Sequence, residues 1–472
     1  MKKLNELYNG YPEIEIKDIK INSKEVEPGD IFVCTKGVTA DRHDFIDEAV
    51  NNGASAVVVS KDVTTTVPTI KVENTNQELP LLARKLFDYP EKELKLIGVT
   101  GTNGKTTVAS IIQDMMGNDI CGYLGTNGIR CKNFQESIKN TTPDSDRLYK
   151  YFRRLVDNGC KYLSMETSSE SFYRNRLEHL EFEIGIITNI TEDHLNIHKT
   201  IENYVSCKKQ LLHKIKSNGY AILNKDDLHF EECSEEVKCN LLTYGKSEAT
   251  LQIVNVELEE TKTNITLRYN NQNYEITSPL LGEFNVYNLS SAILAFIALG
   301  YNMEEIISRV NKINPPFGRV QFLNYNQDYK IVLDYAHTPD AFLKIFPLLH
   351  TLKKDRKIIT VTGSAGGREK EKRGPMGNIV LENSDHVIFT MDDPRTESVD
   401  EIIDDLVSAT KHQHYERIID RKEAIYKAFE MAQKDDIVFV AGKGTDNYMA
   451  LGNEYLPYSD LETIEEYFNN KN

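Results

Sequence analysis

The chain has 472 residues, 40% of them hydrophobic and 27% charged, with a net charge of −16. That length exceeds one core and implies about three domains, while the acidic balance argues against nucleic acid or an anionic membrane as a main partner. No apolar run of transmembrane length or signal peptide is expected, and seven scattered cysteines without a C-x-x-C pair fit a reduced cytoplasm with no disulfide or zinc framework.

Residues 1–93 read as a first α/β domain. "PGDIFVCTKG" is a turn feeding a strand, "FIDEAVNNGA" a helix ending at glycine, and "SAVVVS" a buried strand. A second domain, 94–314, opens with a buried strand from Leu94 to Thr100, a glycine-rich turn, and a helix beginning over Thr107 to Ile112. Further strands follow at "KYLSMETSS", "IGIITNIT" and "GYAILN", and residues 249–278 alternate as a small antiparallel insertion. "INPPFGRV" is a hinge into the third domain, 315–472. There "KIVLDYAH", "KIITVTGS", "HVIFTMDD" and "DIVFVAGKG" are strands separated by helix-length segments, the pattern of a parallel, Rossmann-like doubly wound sheet. The expected class is therefore α/β in three domains, with ligands at the loops where strands end.

The turn Gly101-Thr102-Asn103-Gly104 carries the clearest chemistry. A strand, a glycine-rich turn and a helix start point several N–H groups at one anion. Lys105 adds a cation for the bound phosphate and Thr106 a hydroxyl for Mg2+. The general phosphate-loop pattern needs glycine where this chain has Val99, so an ordinary strand–helix turn is the alternative on these residues alone. Asn285 and Asn288 sit one helical turn apart and suit either an adenine edge or helix capping. Activating a carboxylate for amide formation would use such a site to make an acyl phosphate, which needs positioning, magnesium and cations. Thr106, Glu166 and His194, at predicted strand ends or loops, are candidate metal ligands. "EDHLNIH" reads equally as a helix cap with surface histidines.

"GVTGTNGKTT", "METSS", "TNITEDHLNIHKTIENYVSCKKQLL", "GEFNVYNLSSA", "LDYAHTPDA", "GSAGGREKEKRGPMG", "DDPRTES" and "AGKGTDNY" occur in the order found in the Mur ligases, which the chain resembles from Ser23 to Asp460. The motifs are most similar to the branch that adds the third residue of the peptidoglycan stem peptide to UDP-MurNAc-L-Ala-D-Glu. The resemblance implies that Gly101 through Thr107, Asn285, Asn288, Arg319, Asp334 and His337 bind ATP, with Lys105, Glu166, His194, Lys208 and Arg319 catalytic. It implies a carbamylated Lys208 beside the metal, with Lys209 the adjacent rival. Ser23, Lys24, Thr141, Thr142, Ser168 and Arg176 would hold the UDP-sugar peptide. Arg368, Asp393, Pro394, Arg395, Gly442 and Asp446 would hold the amino acid.

The family's histidines are replaced here by Glu170 and Thr445, and its final glutamate by Asp446. Asp393 stands where diaminopimelate-adding relatives usually carry Asn, so a carboxylate could neutralise Arg395 and admit L-lysine. The amino acid expected is meso-diaminopimelate, otherwise L-lysine. A paralogue joining another carboxylate and amine, or a non-catalytic phosphate-loop module, are the rival readings. The partners expected are small molecules only, the chain acting as a monomer without nucleic acid or membrane insertion.

Overall fold

The computed structural model describes residues 2–37, 40–138, 140–353 and 355–470. The fold is mixed α/β, gathered in two compact units: Met1–Gly98, Gly117–Glu183 and Lys214–Gly219 in the first, Val99–Met116, Ile184–His213 and Tyr220–Asn472 in the second.

In the first unit, Ile19–Lys20, Ile31–Val33, Ala56–Val59 and Thr69–Lys71 pair in parallel in chain order. Continuous apolar runs suit a sheet buried on both faces, and Ile31–Val33 and Ala56–Val59 are buried throughout. The helix read in "FIDEAVNNGA" spans Ile46–Asn51 and buries Ile46 and Ala49. Gly53 follows it at φ +107°, where a Cβ would meet the Pro28 backbone at 2.9 Å. Phe134–Glu136, Gly128–Cys131, Cys121–Gly125 and Tyr162–Glu166 lie side by side in that order, the last pair parallel and the others antiparallel. The helix Ser145–Asp157 buries Leu148, Phe152 and Leu155, one helical turn apart.

In the second unit the helix after the glycine-rich turn is Lys105–Met116, beginning two residues before Thr107. The expected insertion is present as three antiparallel strands, Leu251–Leu258, Thr263–Tyr269 and Gln272–Ser278, bulged between Ile253 and Asn255. The helix Glu283–Ala298 is apolar nearly all round and packs between the helix Lys105–Met116 and the strands Asn240–Gly245 and Leu251–Leu258.

The other sheet of this unit runs Gln321–Leu323, Lys330–Asp334, Ile437–Ala441, Ile358–Thr362, His386–Phe389 and Tyr415–Arg417, parallel except for the first pair. Alternate residues feed two cores. Val332, Phe439 and Val387 pack with the helices Pro339–Lys353, Arg373–Asn383 and Val399–Val407. Ile331, Leu333 and Val438 pack with Arg421–Met431 and Asp460–Asn469. The sheet is doubly wound, as expected, so the loops after Asp334, Thr362, Phe389 and Ala441 share one edge. Among the described residues no helix is long and apolar enough to cross a membrane.

Candidate active site

The glycine-rich turn is built by close backbone approach. Gly101 (φ +144°) and Gly104 (φ +88°) adopt conformations that side chains disfavour, and a Cβ at either would strike Thr188 Oγ1 or Asn288 Oδ1 respectively. Asn103 is fixed through its backbone: its N–H donates to Asn189 Oδ1 at 3.1 Å and its carbonyl accepts from Thr188 Oγ1 at 2.6 Å. Its side-chain amide donates to Asp340 at 2.6 Å. Thr102 Oγ1 both donates to the Thr191 carbonyl and accepts its N–H, each at 3.0 Å. Lys105 curls back so that its ammonium donates to the carbonyls of Gly101 (2.9 Å) and Thr102 (2.8 Å).

A cavity of about 970 Å³ opens beside the loop, lined by Asn103, Gly104, Thr106, Thr107, Asn285, Asn288, Arg319, Asp334 and His337. That volume is at the upper end of ligand-sized pockets. Asn288 donates to Asn285 Oδ1 (3.0 Å), and Asn285 to the Leu281 carbonyl (2.8 Å), so the two amides form one chain on the same helix face. Asp334 accepts the N–H groups of Val320 and Ala336, both at 2.7 Å. This pins Val320 at φ +48°, an unusual conformation for a β-branched residue. Arg319 beside it lies 4.5 Å from the centre of the Tyr335 ring and donates to Thr106 Oγ1 at 3.3 Å. His337 donates from Nδ1 to the Tyr335 carbonyl (2.8 Å), which leaves Nε2 as an acceptor. Burial, with Lys372 adding to it, pushes this imidazole down to about 4, so it is neutral near pH 7.

Lys208 is 1% exposed. Its ammonium donates to the Gly101 carbonyl at 2.7 Å and lies 4.3 Å from the centre of the Tyr204 ring. Burial, then the Lys105 charge, hold Lys208 well below the ordinary lysine range. Lys209 instead pairs with Glu232 (2.9 Å) and Glu236 (3.4 Å). His194 caps the short helix Leu195–His198 with φ +56°, beside Asp193 Oδ2 at 3.5 Å. The capping reading of "EDHLNIH" thus holds for the backbone, although His198, not a surface residue, is buried. Burial lowers the His194 imidazole, and the neighbouring Lys105, Arg368 and Lys208 act in the same direction against Asp193.

The first unit holds its own cluster. Glu166 ends the strand Tyr162–Glu166 and is fully buried. Its Oε1 accepts from the Tyr123 hydroxyl (2.6 Å) and the Thr126 N–H (2.9 Å). Thr142 Oγ1 donates to the Glu166 carbonyl at 2.9 Å and lies 3.3 Å from Ser168 Oγ, while Thr141 lies 3.2 Å from Thr126 Oγ1. Arg176 is brought to the same place but is already paired with Asp144 at 2.6 Å. Ser23 is buried against Glu48, and Lys24 is exposed on the same short turn.

The amino-acid candidates lie on loops at the edge of the second unit's doubly wound sheet. Asp393 (φ +45°) and Arg395 (φ +51°) flank Pro394. Asp393 does not pair with Arg395: its Oδ1 accepts from Lys443 at 2.7 Å and from the Ala450 N–H at 2.9 Å. Arg395 donates to the Gly366 carbonyl at 2.5 Å. Gly442 has φ +116°, where a Cβ would strike Asp392 Oδ2. Burial, with Asp392 and Asp393 adding to it against Lys443, pushes the Asp446 carboxyl up to about 6. Arg368 is half-buried after Gly367, which has φ +64°. Sequence reasoning missed Asp193, Asp340 and Lys443, although each lies inside a quoted motif.

Among the described residues no three His, Cys, Asp or Glu side chains gather as a metal cluster. Magnesium is usually held by one or two protein oxygens together with substrate phosphates, not by a closed cage. Thr106 Oγ1 beside the loop fits that demand, as does the buried Glu166 carboxylate in the first unit; the His194 imidazole is the poorer match.

Three family models match in chain order: "Mur ligase family, catalytic domain" over residues 15–90, "Mur ligase middle domain" over 99–296, and "Mur ligase, glutamate ligase domain" over 318–444. A UDP-N-acetylmuramoyl-L-alanyl-D-glutamate–2,6-diaminopimelate ligase of Bacillus cereus is 35% identical, over 96% of this chain and 94% of its own. Ligase 1 of that name from Clostridium acetobutylicum is 37% identical over 98% and 96%. A solved structure bearing the same enzyme name aligns with a TM-score of 0.67 at 27% identity, covering 100% of this chain and 99% of its own.

Proposed function

Because the chain belongs to the Mur ligase family, we propose that it is an ATP-dependent ligase adding 2,6-diaminopimelate to UDP-N-acetylmuramoyl-L-alanyl-D-glutamate. The observation that carries the reading is a phosphate loop and Arg319 lining one cavity of about 970 Å³, in a chain whose near-full-length relatives bear that enzyme name.

The reaction activates a substrate carboxylate by transfer of the γ-phosphoryl group, giving an acyl phosphate and ADP. The amine of the amino acid attacks that carbonyl, and the tetrahedral intermediate expels phosphate. Little covalent work falls to the protein, so positioning and charge dominate. The N–H groups of Gly101 to Thr107 cradle the phosphates, and Lys105 leaves the loop carbonyls to meet them. Arg319, carried just past Pro315-Pro316, neutralises the transferring group, while Asp334 fixes the chain beside it by accepting the Val320 N–H. Asn285 and Asn288 face the adenine, and His337 with Asp334 the ribose side. Magnesium, when bound, would neutralise phosphate oxygens; Thr106 and His194 are the residues of the second unit that would hold it, and Glu166 is the first unit's candidate.

Lys208 acts as its carbamate, formed as the neutral amine adds CO2 and releases a proton. Its burial supports this, since a desolvated amine sheds its proton and becomes nucleophilic. Ser23, Lys24, Thr141, Thr142, Ser168 and Arg176 hold the UDP-sugar peptide. Arg368, Pro394, Arg395, Gly442 and Asp446 hold the amino acid, with Arg395 taking its second carboxylate bidentately and Asp393 engaged beside it by Lys443. The matched family models support three domains with boundaries near residues 93 and 315. The enzyme works as a cytoplasmic monomer. A ligase joining a different carboxylate and amine is the second reading, favoured by Glu170, whose carboxylate is turned to Arg174 at 2.6 Å.

Mass analysis of the products tests the chemistry. The expected product is the substrate extended by one diaminopimelyl residue, with ADP and phosphate formed in equal amount. Formation of AMP, or an unextended sugar peptide, contradicts the reading.

A further inference from the structure

Lys443 has no part in the reading above, yet it is wholly buried where two loops meet. Its ammonium lies 2.7 Å from Asp393 Oδ1, 3.5 Å from Asp446 Oδ2 and 4.8 Å from the centre of the Tyr448 ring. Asp393 is therefore satisfied on one oxygen by Lys443 and by the Ala450 N–H. Among the described residues Arg395, two residues further along the same loop, makes no ion pair, and its Nη1 donates to the Gly366 carbonyl. The loop is held from behind, since the Arg395 N–H donates to the Ala450 carbonyl at 2.9 Å and the Gly366 N–H to the Asp393 carbonyl at 3.0 Å. A buried carboxylate stripped of its cation must recruit another or lose its charge. The guanidinium nearest in the chain is that of Arg395.

We propose that Lys443 is a specificity-determining positioning residue: by holding Asp393, it keeps Arg395 available for the second carboxylate of the incoming amino acid. This rests on the diaminopimelate reading of Arg395 given above. It also answers how an enzyme with Asp at position 393 can take a dicarboxylic amino acid. The extra carboxylate is spent on a buried lysine, not on the arginine that reads the substrate.

Steady-state kinetics of the full chain with meso-diaminopimelate and with L-lysine test this. Lys443→Met is expected to lower kcat/KM for diaminopimelate by about tenfold or more, as expected for loss of a polar substrate contact, and to narrow the preference over L-lysine, with KM for ATP unchanged. Adding Asp393→Asn to Lys443→Met removes the released carboxylate, and most of the lost efficiency should return. A merely structural lysine would change the efficiency with both amino acids alike and leave the preference between them where it was. The inference is overturned if folded Lys443→Met keeps its diaminopimelate efficiency, or if the double variant is no better than the single one. Should Lys443→Met not fold, Lys443→Arg keeps the charge and should keep the preference; its loss in a folded variant overturns the inference. A wild-type enzyme that does not prefer diaminopimelate overturns the function reading and this inference together, whereas a diaminopimelate-specific enzyme indifferent to Lys443 overturns the inference alone.

Discussion

Lys105 and Lys208 donate to the same carbonyl, that of Gly101, but Lys208 is only 1% exposed, and that burial favours its neutral form. Nothing in "SCKKQ" separates Lys208 from Lys209, because both are lysines on one helix. Helix phase separates them: Lys208 folds over Tyr204, one turn earlier, while Lys209 reaches Glu232 and Glu236. Lys208→Ala should therefore lose about 100-fold or more in turnover, and added short-chain carboxylates should restore part of it by replacing the missing anion. Activity close to wild type, or the intact-protein mass of an unmodified lysine under CO2-saturated turnover conditions, contradicts the carbamate. Asp446 gives a second test at this scale. With its carboxyl near 6, Asp446 loses its charge as pH falls through 6, so KM for the amino acid should rise by about tenfold per pH unit below that point. Asp446→Asn should flatten the profile. Because the folded carboxyl sits above its unfolded value near 3.8, this group's contribution to stability is full below that value and is lost as pH rises through about 6. The variant should therefore remove a component of stability that declines across that window, as read by denaturant unfolding.

The phosphate loop was legible at the level of an element because its work is local: consecutive N–H groups and two glycines in one short turn. Its helix begins at Lys105, earlier than the apolar pattern suggests, since Lys105 and Thr106 are polar and give no periodicity. The strands Gly128–Cys131 and Phe134–Glu136 left no signal, being four and three residues long with no room for alternation. The long apolar strands of the doubly wound sheet were plain, because burial on both faces demands uninterrupted Val and Ile. The turn also makes a sharp prediction. Gly101→Ala imposes a side chain at φ +144° and drives its Cβ into Thr188 Oγ1, the group that holds the Asn103 carbonyl. Nucleotide affinity, measured by calorimetry, should fall more than about tenfold in a protein that keeps its far-ultraviolet circular dichroism. Unchanged affinity contradicts the placement of the triphosphate on this turn.

At the scale of the whole molecule, the contacts that define the site join residues far apart in the chain. Asn103 meets Asp340 across 237 positions, and Lys208 meets Gly101 across 107. Motif order names most of these residues but not their partners: chain position sets Asp393 beside Arg395, whereas the fold sets it on Lys443. The correction strengthens the substrate reading, since Arg395 makes no ion pair among the described residues and can take a second carboxylate. A site built around that pairing should penalise an amino acid that lacks it. The most direct test is kcat/KM from phosphate release with ATP, UDP-N-acetylmuramoyl-L-alanyl-D-glutamate and either meso-diaminopimelate or L-lysine. Phosphate release that requires all three substrates, with diaminopimelate favoured by about 100-fold or more, is the predicted result; preference for L-lysine, or phosphate release indifferent to the amino acid, would contradict the account.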